Sequence, residues 1–241
     1  MPNPTAAMLV IGDEILSGRT RDANMYHLAG KLTEVGLDLR EVRVVSDDRG
    51  AIVEAVQALA AAHDHVFTSG GIGPTHDDIT ADCIAAAFGA EIDVRADALA
   101  ILKQHYATTG IELNEARLRM ARIPAGATLI DNPVSAAPGF TLANVHVMAG
   151  VPSVFQAMVE ALLPQLVGGA PLVSETLRVL RGEGDIAGPL GALAEEYPTL
   201  SLGSYPFQQK NGRYGSNVVI RGSDAALVRQ AKQRLAETFR E

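Results

Sequence analysis

Residues 68–80 read TSGGIGPTHDDIT. They follow a short apolar segment, His65–Ser69 (HVFTS), whose length and β-branched content predict a strand. They run into a helix predicted from about Asp78 to Phe88. Gly70, Gly71 and Gly73 let such a strand-to-helix turn fold back tightly and expose backbone N–H groups, which is how a chain cradles an anion. Two carboxylates directly behind an anion cradle call for a cation between them and the ligand. The turn is neither of the common nucleotide loops: His76 stands where a dinucleotide fingerprint needs its third glycine, and G-x-x-x-x-G-K-[ST] occurs nowhere.

Outward from this turn the first 160 or so residues alternate between strand and helix patterns. Ala6–Ile11 (AAMLVI) is a continuous apolar run, expected of a strand covered on both faces. A helix is predicted over 22–35, a strand over 37–45, then a helix carrying Ile52, Val53, Val56 and Leu59 on one stripe. A more helical stretch, 95–122, has Asn114 as N-cap, and strands at 128–130 and 145–148 flank NPVSAAPGF (132–140). Ser153 and Gln156 fit a capping box for one more helix. This order predicts an α/β fold: a mostly parallel sheet with helices on both faces. Val167–Pro171 reads as a linker. Beyond it strand (172–180), helix (186–196), strand (200–207), strand (214–220) and helix (224–239) predict a small α+β domain, with a hairpin at Asn211-Gly212. The expected domains are 1–167 and 172–241.

Three acidic pairs follow predicted strands: Asp13-Glu14, Asp47-Asp48 and Asp77-Asp78. In a parallel sheet all three fall at one edge, where open α/β sheets bind ligands. Any one pair can equally be a helix cap. The chain carries 28 Asp and Glu against 20 Lys and Arg, a formal charge of −8, so bulk electrostatics disfavour nucleic acid and anionic membranes as partners. An anionic ligand must be held by local devices. The single cysteine, Cys83, excludes an internal disulfide and reads as a buried thiol. The N-terminal residues show no signal or membrane pattern, so a cytoplasmic location is expected.

TSGGIGPTHDDIT closely resembles the signature of molybdopterin-binding (MoaB/Mog-type) domains, and most closely the form found in the competence/damage-inducible protein A family. IGDEILSGRTRDAN (11–24), VVSDD (44–48), AGVPS (149–153), GEGDIA (182–187) and LGSYPF (202–207) extend the resemblance over nearly the whole chain. The family commonly has Gly-Thr where this chain has Ser135-Ala136, and Pro and Glu where it has Ala149 and Val154. The family's deamidase domain is not expected here.

The resemblance implies a divalent-metal-dependent pyrophosphatase that releases AMP from ADP-ribose-like dinucleotides. The alternative it implies is a molybdopterin- or nucleotide-binding protein, or an adenylyltransferase, without hydrolysis. On this reading the N–H groups of Gly70, Gly71 and Gly73 hold phosphate, with Ser69 beside them. Asp47 and Asp78 share Mg²⁺, Co²⁺ or Mn²⁺ with the substrate, and Asp13 positions a water or ribose hydroxyl. Asn24 contacts the nucleotide. His76 either donates to phosphate or stands in solvent, and Asp82 either joins the site or strengthens its helix. Arg19, Arg21 and Lys31 either supply positive charge or form a solvated helix face. A homo-oligomer, dimer or trimer, is expected.

Overall fold

The run TAAMLVI forms β1 (Thr5–Ile11), and it is apolar from Ala6 onward because both of its faces are covered. Ala6, Met8 and Val10 join one core cluster, while Ala7, Leu9 and Ile11 join another on the opposite side. The computed structural model describes residues 3–209 and 212–239, which fall into two compact units, Met1–Gly169 and Ala170–Glu241.

In the first unit β1 is followed by a single helical turn, α1 (Asp13–Leu16), then α2 (Asn24–Glu34), β2 (Asp38–Val45), α3 (Arg49–Ala62) and β3 (His65–Ser69). Next come α4 (Thr80–Phe88), β4 (Ile92–Val94), α5 (Ala96–Thr109), α6 (Glu115–Leu118) and β5 (Arg122–Pro124). The unit closes with β6 (Thr128–Ile130), β7 (Gly139–Leu142), β8 (Val145–Met148) and α7 (Pro152–Leu162). The main sheet runs β2-β1-β3-β8-β7-β6. Its first four strands are mutually parallel, and β7 is antiparallel to both neighbours. The fold is therefore α/β with a mostly parallel sheet. Leu28 and Leu32 of α2 and Phe155, Met158 and Val159 of α7 cover one face; Ile52, Val56 and Leu59 of α3 and Cys83 and Ile84 of α4 cover the other. Burial raises the Cys83 thiol pKa to about 11, so this cysteine is a packing group.

Four local expectations are corrected. Gly139-Phe140 belongs to a strand rather than a loop, and residues 122–124 form with 92–94 a two-stranded ribbon that brackets the stretch read as helical and takes Arg122 from its end. Both strands are too short for a period-2 signal. The Ser153–Gln156 capping box does not form: Pro152 opens α7, Val151 is its N-cap, and no side chain caps it. Proline at the first position is itself a good start, since its missing N–H would have had no partner there. Finally, α4 begins at Thr80, and Asp78 lies in the turn before it.

The second unit contains β9 (Val173–Val179), α8 (Glu183–Glu196), β10 (Ser201–Gln208), β11 (Tyr214–Gly222) and α9 (Ala225–Thr238). Its antiparallel sheet is ordered β10-β11-β9. Val179, Val218 and Ile220 pack with Ile186 and Leu193 of α8 and Val228, Ala231 and Leu235 of α9. Asp224 caps α9 by accepting from the N–H groups of Ala226 and Leu227. Of the expected turn pair, Gly212 has a positive φ of 81°, while Asn211 and its neighbour Lys210 lie outside the described residues. Among the described residues no helix is long and apolar enough to cross a membrane.

A histidine pair lies between the strands of the first unit. His146 on β8 has Nε2 3.1 Å from His65 Nδ1 and Nδ1 2.9 Å from the Thr141 hydroxyl, with Phe67 against its ring. Burial, then the neighbouring His65, pushes the His146 pKa from 6.5 down to about 3; burial lowers His65 as well. A depressed folded-state pKa means the pair's contribution is complete above about pH 6.5 and is lost as the pH falls toward 3. The denaturation midpoint should therefore fall between about pH 7 and about pH 4, by the equivalent of ~1–3 kcal/mol. His146→Gln should flatten that dependence, as urea titrations at stepped pH would record. An equal acid slope in the variant would show that the pair does not titrate with unfolding.

Candidate active-site cleft

Because β2, β1, β3 and β8 are parallel, the segments that follow Val45, Ile11, Ser69 and Met148 leave the same sheet edge. There they enclose a cleft of about 350 Å³, within the range of small-ligand pockets. Its wall includes Gly12 and Glu14 after β1, Asp47 after β2, Gly70–Gly73 and Asp77–Asp78 after β3, and Gly150 after β8. Asn132, Ser135 and Ala137, from the connection between β6 and β7, complete it.

The glycine turn is set by close approach. Gly70 has φ 110°, and a Cβ there would lie 2.2 Å from the Ile11 carbonyl oxygen. Gly71 has φ 68°, and its Cβ would strike the Thr80 hydroxyl. Thr80 locks the turn to the start of α4, its hydroxyl donating to the Gly70 carbonyl (3.0 Å) and its N–H to the Gly71 carbonyl (2.9 Å). The expected role of Gly70 needs correction: its N–H already donates to the Met148 carbonyl at 3.2 Å, so it cannot hold a ligand oxygen. Among the described residues no group accepts from the N–H of Gly71, Ile72 or Gly73.

The acids divide by partner. Asp48 is the N-cap of α3, accepting from the Ala51 N–H at 2.9 Å, and does not line the cleft. Asp47 does, accepting from the Asp13 N–H at 3.0 Å. Its pKa is raised, first by burial and then by the charges of Asp13, Glu14 and Asp77. Asp78 accepts from the N–H and hydroxyl of Thr75 through Oδ2 and faces the same cleft. Asp82 pairs instead with Arg122 across to β5. Asp13 donates its backbone N–H to Asp47 and is absent from the wall, where Glu14 stands in its place. His76 is also absent: its side chain is 99% exposed, in solvent beside Asp77.

Asn24 and Ser69 are buried one cavity away, around about 60 Å³ of space that shares Ile11, Glu14 and Gly150 with the cleft. Asn24 Nδ2 donates to Ser69 Oγ (2.7 Å) and to the Gly150 carbonyl (2.8 Å), while its Oδ1 is buried with no protein partner. Asn24 thus ties α2 to the ends of β3 and β8.

Among the described residues no Lys or Arg lines the cleft. Lys31 is bound to Glu34 and Glu160 on the helix surface. Arg19 is exposed, and Arg21 borders the Asn24 cavity. The cation nearest in the fold was missed by the sequence reading. Arg119, in the 3₁₀ turn after α6, donates to the Asp78 main-chain carbonyl at 3.2 Å, and its Nε is buried without a partner. With Arg122 it borders a void of about 20 Å³ that shares Gly71–Gly73, Asp78 and Met120 with the cleft. ELNEARLRMARIP gave no periodic reason to single out one arginine of its three.

Among the described residues no three His, Cys, Asp or Glu side chains converge closely enough to hold a metal ion. Asp47 and Asp78 present two hard carboxylates, so an ion there would need ligand oxygens or waters to fill its shell. Oxygen donors of this kind suit Mg²⁺.

Residues 7–168 match the family described as "Probable molybdopterin binding domain", and residues 171–241 match that described as "FAD synthase, middle domain". A protein of Pyrobaculum calidifontis is 37% identical over 213 residues, 84% of this chain and 81% of its own. A CinA-like protein of Citrifermentans bemidjiense is 40% identical over 167 residues, 67% of this chain but only 40% of its own length. The crystal structure of the protein CinA from Thermoplasma acidophilum aligns with a TM-score of 0.63 at 35% identity, covering 67% of this chain and 97% of that one. The chain belongs to the molybdopterin-binding (MoaB/Mog-like) domain family and, within it, to the CinA type.

Proposed function

We propose that the first unit is a divalent-metal-dependent nucleotide pyrophosphatase that releases AMP from ADP-ribose or a similar dinucleotide. The observation that carries this reading is the meeting of Asp47 and Asp78 in one cleft with the unengaged N–H groups of Gly71 and Gly73. Pyrophosphate cleavage needs the spreading negative charge on phosphorus neutralised and the attacking water held in line. Asp47 and Asp78 would hold Mg²⁺, Co²⁺ or Mn²⁺, and such an ion neutralises phosphoryl charge and acidifies a bound water. Gly71 and Gly73 donate to phosphate oxygens. Glu14, on the wall next to Asp47, is placed to accept a proton from a water. Arg119 fixes the backbone of Asp78 and so the aim of its carboxylate.

The second reading is a molybdopterin- or nucleotide-binding protein or an adenylyltransferase, and the family description supports its molybdopterin-binding part. Both keep the same cleft and differ in whether water is the acceptor. For assembly, the uncovered Val42 and Val44 of edge strand β2 are proposed as part of a homo-oligomer contact.

Incubation with Mg²⁺ or Co²⁺ and ADP-ribose, with AMP followed by chromatography, separates the readings; no AMP with any metal would remove the hydrolase. Asp78→Asn keeps an acceptor for Thr75 but loses the charge, and should lower turnover by about 10²–10³-fold. Asp48→Ala should instead cost about 1 kcal/mol of stability through its lost cap and leave turnover near normal. Equal losses in both would mean that the acids act through folding.

Arg119→Met tests positioning. It should lower kcat about tenfold with a smaller change in KM, since the lost bond orients a catalytic group rather than the substrate. Arg119→Lys should recover part of the loss. A variant with wild-type kcat would show that the Asp78 carbonyl needs no anchor.

A further inference from the structure

In the second unit α8 and α9 cover one face of the three-stranded sheet, and the other face is open. The register places Tyr205, Asn217 and Arg178 side by side across β10, β11 and β9, with Phe207 one row further along beside Gly215. Alternate residues on each strand face the same way, so these side chains share the open side. Two aromatic rings lie down on it. Tyr205 leans over Gly203, where a Cβ would sit 3.5 Å from the ring, and Phe207 reaches over Gly215, where a Cβ would be 2.4 Å from ring Cζ. The Arg178 guanidinium stands 4.2 Å from the centre of the Phe207 ring, while Tyr205 remains 51% exposed. Arg221 lies on the same face two rows away. Neither arginine has a carboxylate partner among the described residues, because Glu175, the one acid of β9, points to the helix side and binds Lys232.

We propose that this open face binds a mononucleotide, its heterocycle stacked on Tyr205 and its phosphate held by Arg178, with Arg221 adding positive potential. The recumbent ring offers a π-face, which stacks on any base, and the neighbouring guanidinium supplies the charge-assisted donor that a phosphate needs. A nucleic-acid strand fits less well. Strand binding draws its affinity from a row of phosphate contacts, and residues 170–241 carry nine Lys and Arg against eight Asp and Glu, with Arg178 and Arg221 on this face among the described strand residues. A protein partner also fits less well: stable interfaces have an apolar centre, and on this face the central strand presents Asn217 and Arg221 beside a single aliphatic side chain, Val219. The proposal uses none of the residues that line the cleft of the first unit and does not depend on the activity proposed there.

The chain has no tryptophan, so Tyr205→Trp places a sole indole reporter on the face. In the full-length variant AMP should quench its emission saturably, half-maximally at about 1 mM, as expected for one stacked base and one ion pair. Adenosine and ribose 5-phosphate, each lacking one half of the ligand, should need at least about tenfold more. Arg178→Gln in the same background should weaken AMP about five- to tenfold, and Arg221→Gln about twofold. Linear quenching that is equal for all three compounds would overturn the proposal. So would half-quenching by a single-stranded octanucleotide at about a hundredfold lower concentration than AMP, which makes the occupant a strand. Emission that shifts to the blue with protein concentration alone would make it a second copy of the chain. If the variant does not fold, amide shifts of the labelled native chain under AMP should cluster on β9–β11; shifts absent there would overturn the proposal equally.

Discussion

The Ile11 carbonyl and the Gly70 α-carbon approach so closely that no side chain fits between them, and the rest of the cleft is arranged around that contact. It occurs where β1 and β3 leave the sheet side by side, the point at which the chain has placed β2 on one side of β1 and β3 on the other. Open α/β sheets bind ligands at such reversals because the outgoing loops diverge and leave a crevice. Gly150 extends the same economy of space, since a Cβ there would come 3.2 Å from the Gly70 α-carbon. Three strand ends are thereby held at backbone distance, and side chains that follow them meet over one small area. Thr80 and Asn24 then pin the arrangement to α4 and α2 by hydrogen bonds to carbonyls of the loops.

Within that area, acids with a structural partner and acids without one are distinguishable. Asp48 has an N–H to cap and Asp82 a guanidinium to bind, which accounts for both without reference to a ligand. Asp78 braces the Thr75 turn with one oxygen and still borders the cleft. Asp47 has a single N–H donor, is partly desolvated, and is surrounded by three further acids whose charges raise its pKa. Unneutralised carboxylates held together oppose folding, and a chain that keeps them in a cleft does so for something that binds there.

The layered α/β fold was readable because it rests on long signals. The β1 run is apolar from Ala6 to Ile11, and the stripes of α2 and α3 repeat over several turns. The convergence of Asp47 and the glycine turn on one rim also followed from strand direction alone. What could not be read was local or long-range. The three- and four-residue strands β4, β5 and β7 are fixed by pairing partners rather than by their own pattern. That Gly70 spends its N–H on Met148 depends on a neighbour 78 positions away, and so does not register in TSGGIG. Arg119 matters for the carbonyl it holds, and a carbonyl has no residue identity to search for. His76 shows the converse: a histidine inside a conspicuous motif that reaches only solvent.

The charge distribution constrains how any anion can bind. Residues 1–169 contain 20 Asp and Glu against 11 Lys and Arg, and the wall of the cleft adds Glu14, Asp47, Asp77 and Asp78 with no basic side chain among them. A nucleotide phosphate approaching this surface alone meets repulsion that two backbone N–H groups and a distant guanidinium do little to offset. A divalent cation changes the sign of the local field. On the proposed function, a cation held by Asp47 and Asp78 would need the phosphate oxygens or waters to complete its shell. Metal and nucleotide would therefore be thermodynamically linked, each raising the affinity of the other by the same factor, whichever bound first. The acidity that seems to argue against a phosphate ligand would then make phosphate binding conditional on the metal.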